Sequence, residues 1–163
     1  MPSSEFFIHA AATNLPDFLF RAFHNGSFNR FDEGRGISSG DPSIDITNWH
    51  EAHTALSNHL NVFNTSSPTP FISVYADRKK VKGLAEMWRD RGKDGITIAT
   101  IHVREWKKRE WWRVLDITQA LDYCQIPLRT PAGRDATESE YLVYGEIPPE
   151  VIHTYTVEEF NQP

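Results

Sequence analysis

The sequence predicts an α+β fold in which helices come early and strands dominate later. Three observations lead to this class. Apolar residues recur at helical spacing in two segments of the first ninety residues. Runs rich in β-branched and aromatic residues dominate the second half. Strands and helices do not alternate regularly, which disfavours a parallel sheet, and 163 residues is the length of one domain. We therefore expect residues 1–163 to form a single α+β domain.

The first predicted strand covers residues 17–23. Its side chains alternate between two faces, and Arg21 shares a face with Leu19 and Phe23. A positively charged side chain inside such a strand needs a polar partner. Residues 25–46 follow and hold four of the nine glycines. A loop of this length is usually functional or disordered.

Two helices and a strand are predicted next. The first helix covers residues 47–61, and Asn48 with Glu51 makes a capping box at its start. Residues 70–75 form a short strand. The second helix begins after Asp77, a good N-cap, and extends to about residue 91.

The second half of the chain is predicted to be mainly strands. The predicted strands are residues 95–103, 112–117, 138–147 and 151–157, with a short helix at 118–123. The prediction as a whole is about six strands and two main helices, which is a mixed α+β architecture.

Composition and charge exclude several classes of protein. The single cysteine excludes a disulfide framework, and the net charge of −5 excludes a uniformly basic nucleic-acid coat. No apolar run is long enough to span a membrane. The first residues lack a signal-peptide pattern, which predicts a cytoplasmic protein or a delivered effector.

The charge is unevenly distributed along the chain. Residues 78–113 hold 12 Lys or Arg and 5 Asp or Glu, together with four of the five tryptophans. Basic and aromatic residues interleaved in this way can bind a nucleic-acid backbone and stack on bases. The alternative is a solvated helix face next to a strand edge protected by lysines, and the interrupting acidic residues favour it.

Two further groups are weighed as sites. His50 and His53, with His59 further on, flank Glu51 in a pattern like the zinc-protease helix, but at i, i+3 instead of i, i+4 and with no obvious third ligand. Cys124 is a candidate nucleophile without a local signature, and a lone cysteine is usually a small core residue. For both groups we favour a structural role, and we predict no metal site.

Three separated segments form a more specific pattern. They are Leu19–Phe23 with Arg21 at its centre, Pro70–Ser73, and the acidic start of the strand at Glu138-Ser139-Glu140. In this order they resemble the signature of the arginine–serine–glutamate class of mono-ADP-ribosyltransferases, the cholera-toxin-like group.

The resemblance spans residues 18–152 and includes the Ile147–Ile152 segment, which is similar to the tail of several bacterial members. The chain also resembles an uncharacterised domain family of filamentous fungi with the same three segments. One departure stands out. The family usually has Ser-Thr-Ser in the middle strand, whereas this chain has Ser73-Val74-Tyr75.

The resemblance implies a fold of two packed, mostly antiparallel sheets with flanking helices and a central NAD cleft. It implies cleavage of the nicotinamide–ribose bond of NAD, the substrate. The implied catalytic residues are Glu140, which stabilises the oxocarbenium-like transition state, and Glu138, which orients or deprotonates the acceptor.

The resemblance also implies NAD-binding residues. Arg21 would bind the phosphates, Ser73 would hold Glu140 and the ribose, and Tyr75 would stack on the nicotinamide. His24 would reach the adenosine side. The loop at 125–137 would contact the acceptor, a protein arginine by default or a nucleic acid.

Three hypotheses for the function follow. The first is an NAD-consuming enzyme, either a mono-ADP-ribosyltransferase or an NAD glycohydrolase. The second is a catalytically silent module of the same fold that binds a nucleotide or a partner. The third is a nucleic-acid-binding domain that uses the basic, tryptophan-rich segment. The sequence predicts no membrane association and gives no oligomeric state.

Overall fold

The computed structural model describes residues 5–27, 31–60, 68–110, 113–127 and 140–162. Within these ranges the chain forms two antiparallel sheets and six α-helices, which confirms the predicted α+β class. The strands are β1 (Phe18–Phe23), β2 (Phe31–Asp32), β3 (Gly36–Ser38), β4 (Phe71–Tyr75), β5 (Thr97–His102), β6 (Val114–Asp116), β7 (Glu140–Tyr144), β8 (Glu146–Ile147) and β9 (Ile152–Tyr155). The helices are α1 (Glu5–Ala10), α2 (Trp49–Leu60), α3 (Arg78–Asp90), α4 (Val103–Glu110), α5 (Ile117–Cys124) and α6 (Val157–Phe160).

The larger sheet has the strand order β6-β7-β4-β1-β5-β9, and the smaller sheet has the order β2-β3-β8. One residue, Gly145, links β7 of the larger sheet to β8 of the smaller sheet. Its φ of +87° lies in the left-handed region that favours glycine, and an added Cβ would lie 2.6 Å from the Arg113 guanidinium. The single strand predicted at 138–147 is therefore wrong, because the chain changes sheet at this glycine.

The larger sheet is covered on both faces. One face packs around Leu19, Ile72 and Val143 against the smaller sheet and α4. On the opposite face, α1, α2 and α5 cover the β4, β7 and β6 side with one apolar cluster. A second, smaller cluster lies under α3 and α6 on the β1, β5 and β9 side. The two clusters on this face therefore divide the sheet into two halves that meet at β1 and β4.

The predicted helix starts at α2 and α3 are confirmed by their caps. The backbone N–H of Glu51 donates to Asn48 Oδ1 at 2.9 Å, and Asn48 Nδ2 donates to Glu51 Oε1 at 2.7 Å. The Asp77 carboxylate accepts the backbone N–H groups of Lys79 and Lys80 at 2.9 and 3.3 Å. The three bonds from backbone N–H groups satisfy donors that the first helical turn leaves unpaired.

Other elements differ from the sequence prediction. The expected loop at 25–46 contains the short hairpin of β2 and β3. The expected last strand ends at Tyr155, and Thr156 then caps α6. α1 and α4 were not predicted, because each is short. α4 buries Val103 and Trp106 among charged residues, too few apolar positions to show a helical period.

The basic segment at 78–113 is divided between the two faces of the larger sheet. α3 packs on the face that carries Ala22 and Ile98, whereas α4 packs on the face that carries Ala99 and Ile101. Successive residues of a strand point to opposite faces. α3 and α4 therefore lie on opposite faces of the larger sheet.

Candidate functional site

The candidate site lies where the larger sheet is incompletely paired, between β1 and β4. β1 pairs with β5 along its whole length and β4 does so with β7, but β1 and β4 share a single registered pair, Phe20 with Tyr75. Directly after this pair, Nη1 of Arg21 donates to the backbone carbonyl of Ser73 at 2.8 Å. A side-chain hydrogen bond thus joins the two strands beyond the point where their registered pairing ends. Arg21 has the polar partner that its place in a strand requires.

Ser73 also bonds the acidic residue of the next strand. Its hydroxyl donates to Oε2 of Glu140 at 3.1 Å. Glu140 is only 1% exposed and Ser73 only 8%, so the bond lies inside the protein. A hydrogen bond to a buried carboxylate offsets part of its desolvation cost. Two hydrogen bonds therefore link Arg21 to the Ser73 backbone and the Ser73 hydroxyl to Glu140, although the sequence separates Arg21 and Glu140 by more than a hundred residues.

Tyr75 is the cross-strand neighbour of both Phe20 and Glu140. The ammonium Nζ of Lys80, on α3, lies 4.7 Å from the centre of the Tyr75 ring. This distance is in the range of a cation–π contact. The resemblance implies that nicotinamide stacks on the Tyr75 ring. One face of this ring is already in contact with the positive charge of Lys80.

His24 lies in a different place, on a cleft of about 500 Å³ at the end of β1. Its Nδ1 accepts the backbone N–H of Gly26 at 3.0 Å, and its ring packs edge-on against Trp88 with centroids 4.7 Å apart. The cleft has a mixed polar and aromatic wall. Its lining residues in the described part of the chain are Phe23, His24, Asn25, Phe31, Asp32, Arg35, Gly36, Ser38, Ser39, Gly95 and Thr97.

β1 contributes to both the cleft and the buried hydrogen bonds, but through different residues. Arg21, Ser73 and Glu140 are absent from the described residues that line the cleft. Phe23 does line it, two positions after Arg21 on the same face of β1. Arg21 on β1 and His24, directly after the end of β1, are thus close in sequence. Glu140 is instead enclosed in the protein.

His59 is a member of this site that the sequence did not predict. Its Nε2 lies 2.8 Å from Ser73 Oγ and its Nδ1 lies 2.8 Å from Thr69 Oγ1. A signal for it exists, because His59 follows Ala52 by two helical turns and shares the buried face of α2. That signal is weak, since a histidine on an apolar face has no distinctive spacing.

Several predicted residues fall outside the described ranges or outside the site. Glu138 and most of the predicted acceptor loop at 125–137 are among residues 128–139, which lie outside the described residues. Cys124 is fully buried in the apolar cluster of α1, α2 and α5, and burial raises the pKa of its thiol to about 11. A thiol with this pKa is a poor nucleophile at neutral pH.

Among the described residues, the histidines at the start of α2 are not part of a metal-binding cluster. His50 is exposed, and His53 packs on the Trp49 ring with centroids 4.9 Å apart. Across the described ranges, no group of three or more His, Cys, Asp or Glu side chains is arranged to hold a metal ion. In the same ranges, no helix is long and apolar enough to cross a lipid bilayer.

A family model described as "Domain of unknown function (DUF7587)" matches residues 14–160. The chain belongs to this family. No curated protein matches the chain. The DUF7587 match covers β1, β4 and β7, and hence Arg21, Ser73 and Glu140. Because the family description names no activity, a function for this DUF7587 domain has to be argued from its side chains.

Proposed function

We propose that this DUF7587 domain is an NAD-cleaving enzyme, a mono-ADP-ribosyltransferase or an NAD glycohydrolase. The observation that carries the proposal is the hydrogen-bonded series Arg21–Ser73–Glu140 at the gap between β1 and β4. These are the three residues on which the resemblance to the arginine–serine–glutamate class depends. The arrangement of two antiparallel sheets is compatible with that class.

The residue types suit the reaction. Breaking the nicotinamide–ribose bond develops positive charge on the ribose, and the Glu140 carboxylate would stabilise it, as carboxylates do in glycoside hydrolysis. Arg21 would bind the pyrophosphate with its planar guanidinium. The cleft beside β1, which includes His24, would take the adenosine side. Glu138 would activate the acceptor or a water molecule.

Two observations favour a second candidate, a catalytically silent module of the same kind. Glu140 is almost completely enclosed, so the ribose reaches it only after the site opens. Lys80 already contacts one face of the Tyr75 ring, on which the positively charged nicotinamide would stack. A module of this kind would bind a nucleotide through Arg21 without cleaving it.

The acceptor of the proposed transferase is a protein arginine by default, as the resemblance implies. A nucleic-acid acceptor depends on the basic segment at 78–113, in which α3 and α4 pack on opposite faces of the larger sheet. In a transfer assay with both acceptors, we therefore expect modification of an arginine-rich protein and none of nucleic acid.

The deciding experiment measures nicotinamide release from NAD by the wild-type protein and by Glu140→Gln. The glutamine keeps the size of the side chain and an acceptor for Ser73 but removes the charge. We expect release to fall at least about a hundredfold, the usual size of losing an electrostatic contact to the transition state. Glu158→Gln is the matched control, because that side chain is 72% exposed on α6.

The other possible results of this experiment distinguish the two candidate functions. Equal release by wild type and Glu140→Gln would contradict the assignment of Glu140. Absence of release, together with NAD binding that is lost in Arg21→Met by calorimetry, would establish the silent module. Absence of both release and binding would contradict both candidates.

A further inference from the structure

His59 connects the candidate site to α2. It lies one residue before the end of that helix, and its ring is half-buried. Both ring nitrogens lie 2.8 Å from hydroxyl oxygens, Nδ1 from that of Thr69 and Nε2 from that of Ser73. The edge of the ring packs on Phe71, with centroids 5.7 Å apart.

Proton accounting fixes the direction of these bonds. The Ser73 hydroxyl has one proton, and it is donated to Glu140. The short contact between His59 and Ser73 therefore requires that Nε2 carries a proton and donates it to Ser73 Oγ. On a neutral ring Nδ1 is then an acceptor, and the hydroxyl of Thr69 donates to it.

We infer that His59 is a positioning residue, which orients the Ser73 hydroxyl so that its proton points at Glu140. Thr69 selects the required ring tautomer, and the N–H of Nε2 occupies a lone pair of Ser73 Oγ. The remaining freedom of the hydroxyl is removed, and the Glu140 carboxylate is held in one orientation. The catalytic consequence of this inference rests on the proposed function, whereas the tautomer does not.

A serine beside a histidine can also be a nucleophile with its general base. That alternative requires Nε2 without a proton, ready to accept the one from Ser73. Because the Ser73 hydroxyl donates its proton to Glu140, that proton is not directed at Nε2, and Nε2 carries a proton of its own.

The first test measures the ring tautomer directly. Nitrogen-15-labelled histidine in the full chain gives separate NMR signals for the two ring nitrogens. On the neutral ring of His59 we expect a protonated Nε2 and an unprotonated Nδ1. In Thr69→Val, which removes the donor to Nδ1, we expect a measurable rise in the Nδ1-protonated form. A neutral ring with its proton on Nδ1 in the wild type would overturn the inference.

The second test uses NAD cleavage. His59→Leu removes the N–H donor, and His59→Gln keeps one at nearly the Nε2 position. For His59→Leu we expect kcat to fall about tenfold, the size of one lost orienting hydrogen bond, with KM changed less than about twofold. We expect His59→Gln to recover most of that loss. His50→Leu, on the exposed first turn of the same helix, is the control.

The outcomes separate this inference from the proposed function. A purely structural histidine would lower the stability of both His59 variants and leave kcat per folded molecule unchanged, which would overturn the positioning role. Equal loss of kcat in the leucine and glutamine variants would also overturn it. If the wild-type protein releases no nicotinamide, the proposed function fails, and the tautomer measurement still decides the inference.

Discussion

The two halves of the larger sheet differ in how they are held together. Within each half the backbone pairs continuously, β1 with β5 and β4 with β7. In each half an apolar cluster packs the sheet against the helices that cover it. Between the halves, β1 and β4 have one registered pair, and the Arg21 side chain donates a further bond to the Ser73 carbonyl. The polar groups of the candidate site, Arg21, Ser73 and Glu140, are concentrated at this junction.

This difference places the main sources of stability within the two halves and the residues of the candidate site near the junction between them. Continuous ladders and apolar packing give each half its shape with little need for buried polar groups. A gap between strands leaves backbone carbonyls for side chains to bond, as Arg21 does with Ser73. A side chain can therefore bridge such a gap without breaking either ladder.

The largest effect is expected from the core of the β4, β7 and β6 half. Leu56→Ala on α2 removes a fully buried side chain from the larger cluster and is expected to lower the free energy of unfolding by about 2–5 kcal/mol. Val81→Ala on α3, in the smaller cluster, is expected to cost about 2 kcal/mol because fewer carbons are lost. Urea denaturation measures both.

The same curves test whether the halves unfold together. One apolar cluster on the opposite face includes Ile72 of β4 and Ala99 of β5, so it spans the junction. We therefore expect a single transition for both variants. Two resolved transitions in Leu56→Ala would show that the halves are independent and that the junction contributes little.

Alkaline pH is expected to weaken the same half. The folded-state pKa of Cys124 is raised by burial to about 11 from 9.0, so above pH 9 the unfolded chain loses this proton first. Stability from this group is complete below pH 9 and declines as pH rises to 11, by up to about 3 kcal/mol. The comparison is between wild type and Cys124→Ala in urea at pH 8 and 10.5.

The raised pKa values of Tyr141 and Tyr144 lower the stability of both proteins in that range. Their contribution cancels in the difference between wild type and Cys124→Ala. We expect the difference to shift in favour of the alanine variant as pH rises. A difference that is independent of pH would show that the thiolate is tolerated in the folded core.

A smaller effect on stability is expected at the junction itself. Arg21→Met removes the charge-assisted bond to the Ser73 carbonyl and is expected to cost about 1–2 kcal/mol, with loss of NAD binding. Arg104→Met is the control, because its ion pair with Asp17 is on the surface and is worth little. Equal destabilisation by the two substitutions would contradict a special role for the junction.

The sequence predicts much of this architecture and less of the site. The helix starts at Asn48 and Asp77 follow from local capping chemistry, and the strand around Arg21 follows from alternation. The change of sheet at Gly145 does not follow, because a glycine in an apolar run does not show which sheet the next residues join. His59 was missed for a similar reason, since its partners at Thr69 and Ser73 come from a different element.

The smallest expected effect concerns Lys80, which contacts the Tyr75 ring from α3. Lys80→Met keeps the alkyl chain and removes the charge, so we expect the free energy of unfolding to change by less than about 1 kcal/mol. If nicotinamide uses this ring face, removing the like charge lowers KM for NAD a few-fold and leaves kcat unchanged. Lys79→Met, the exposed neighbour, is the control. A raised KM in Lys80→Met would mean instead that this ammonium binds the substrate, and the junction would then have a second cation beside Arg21.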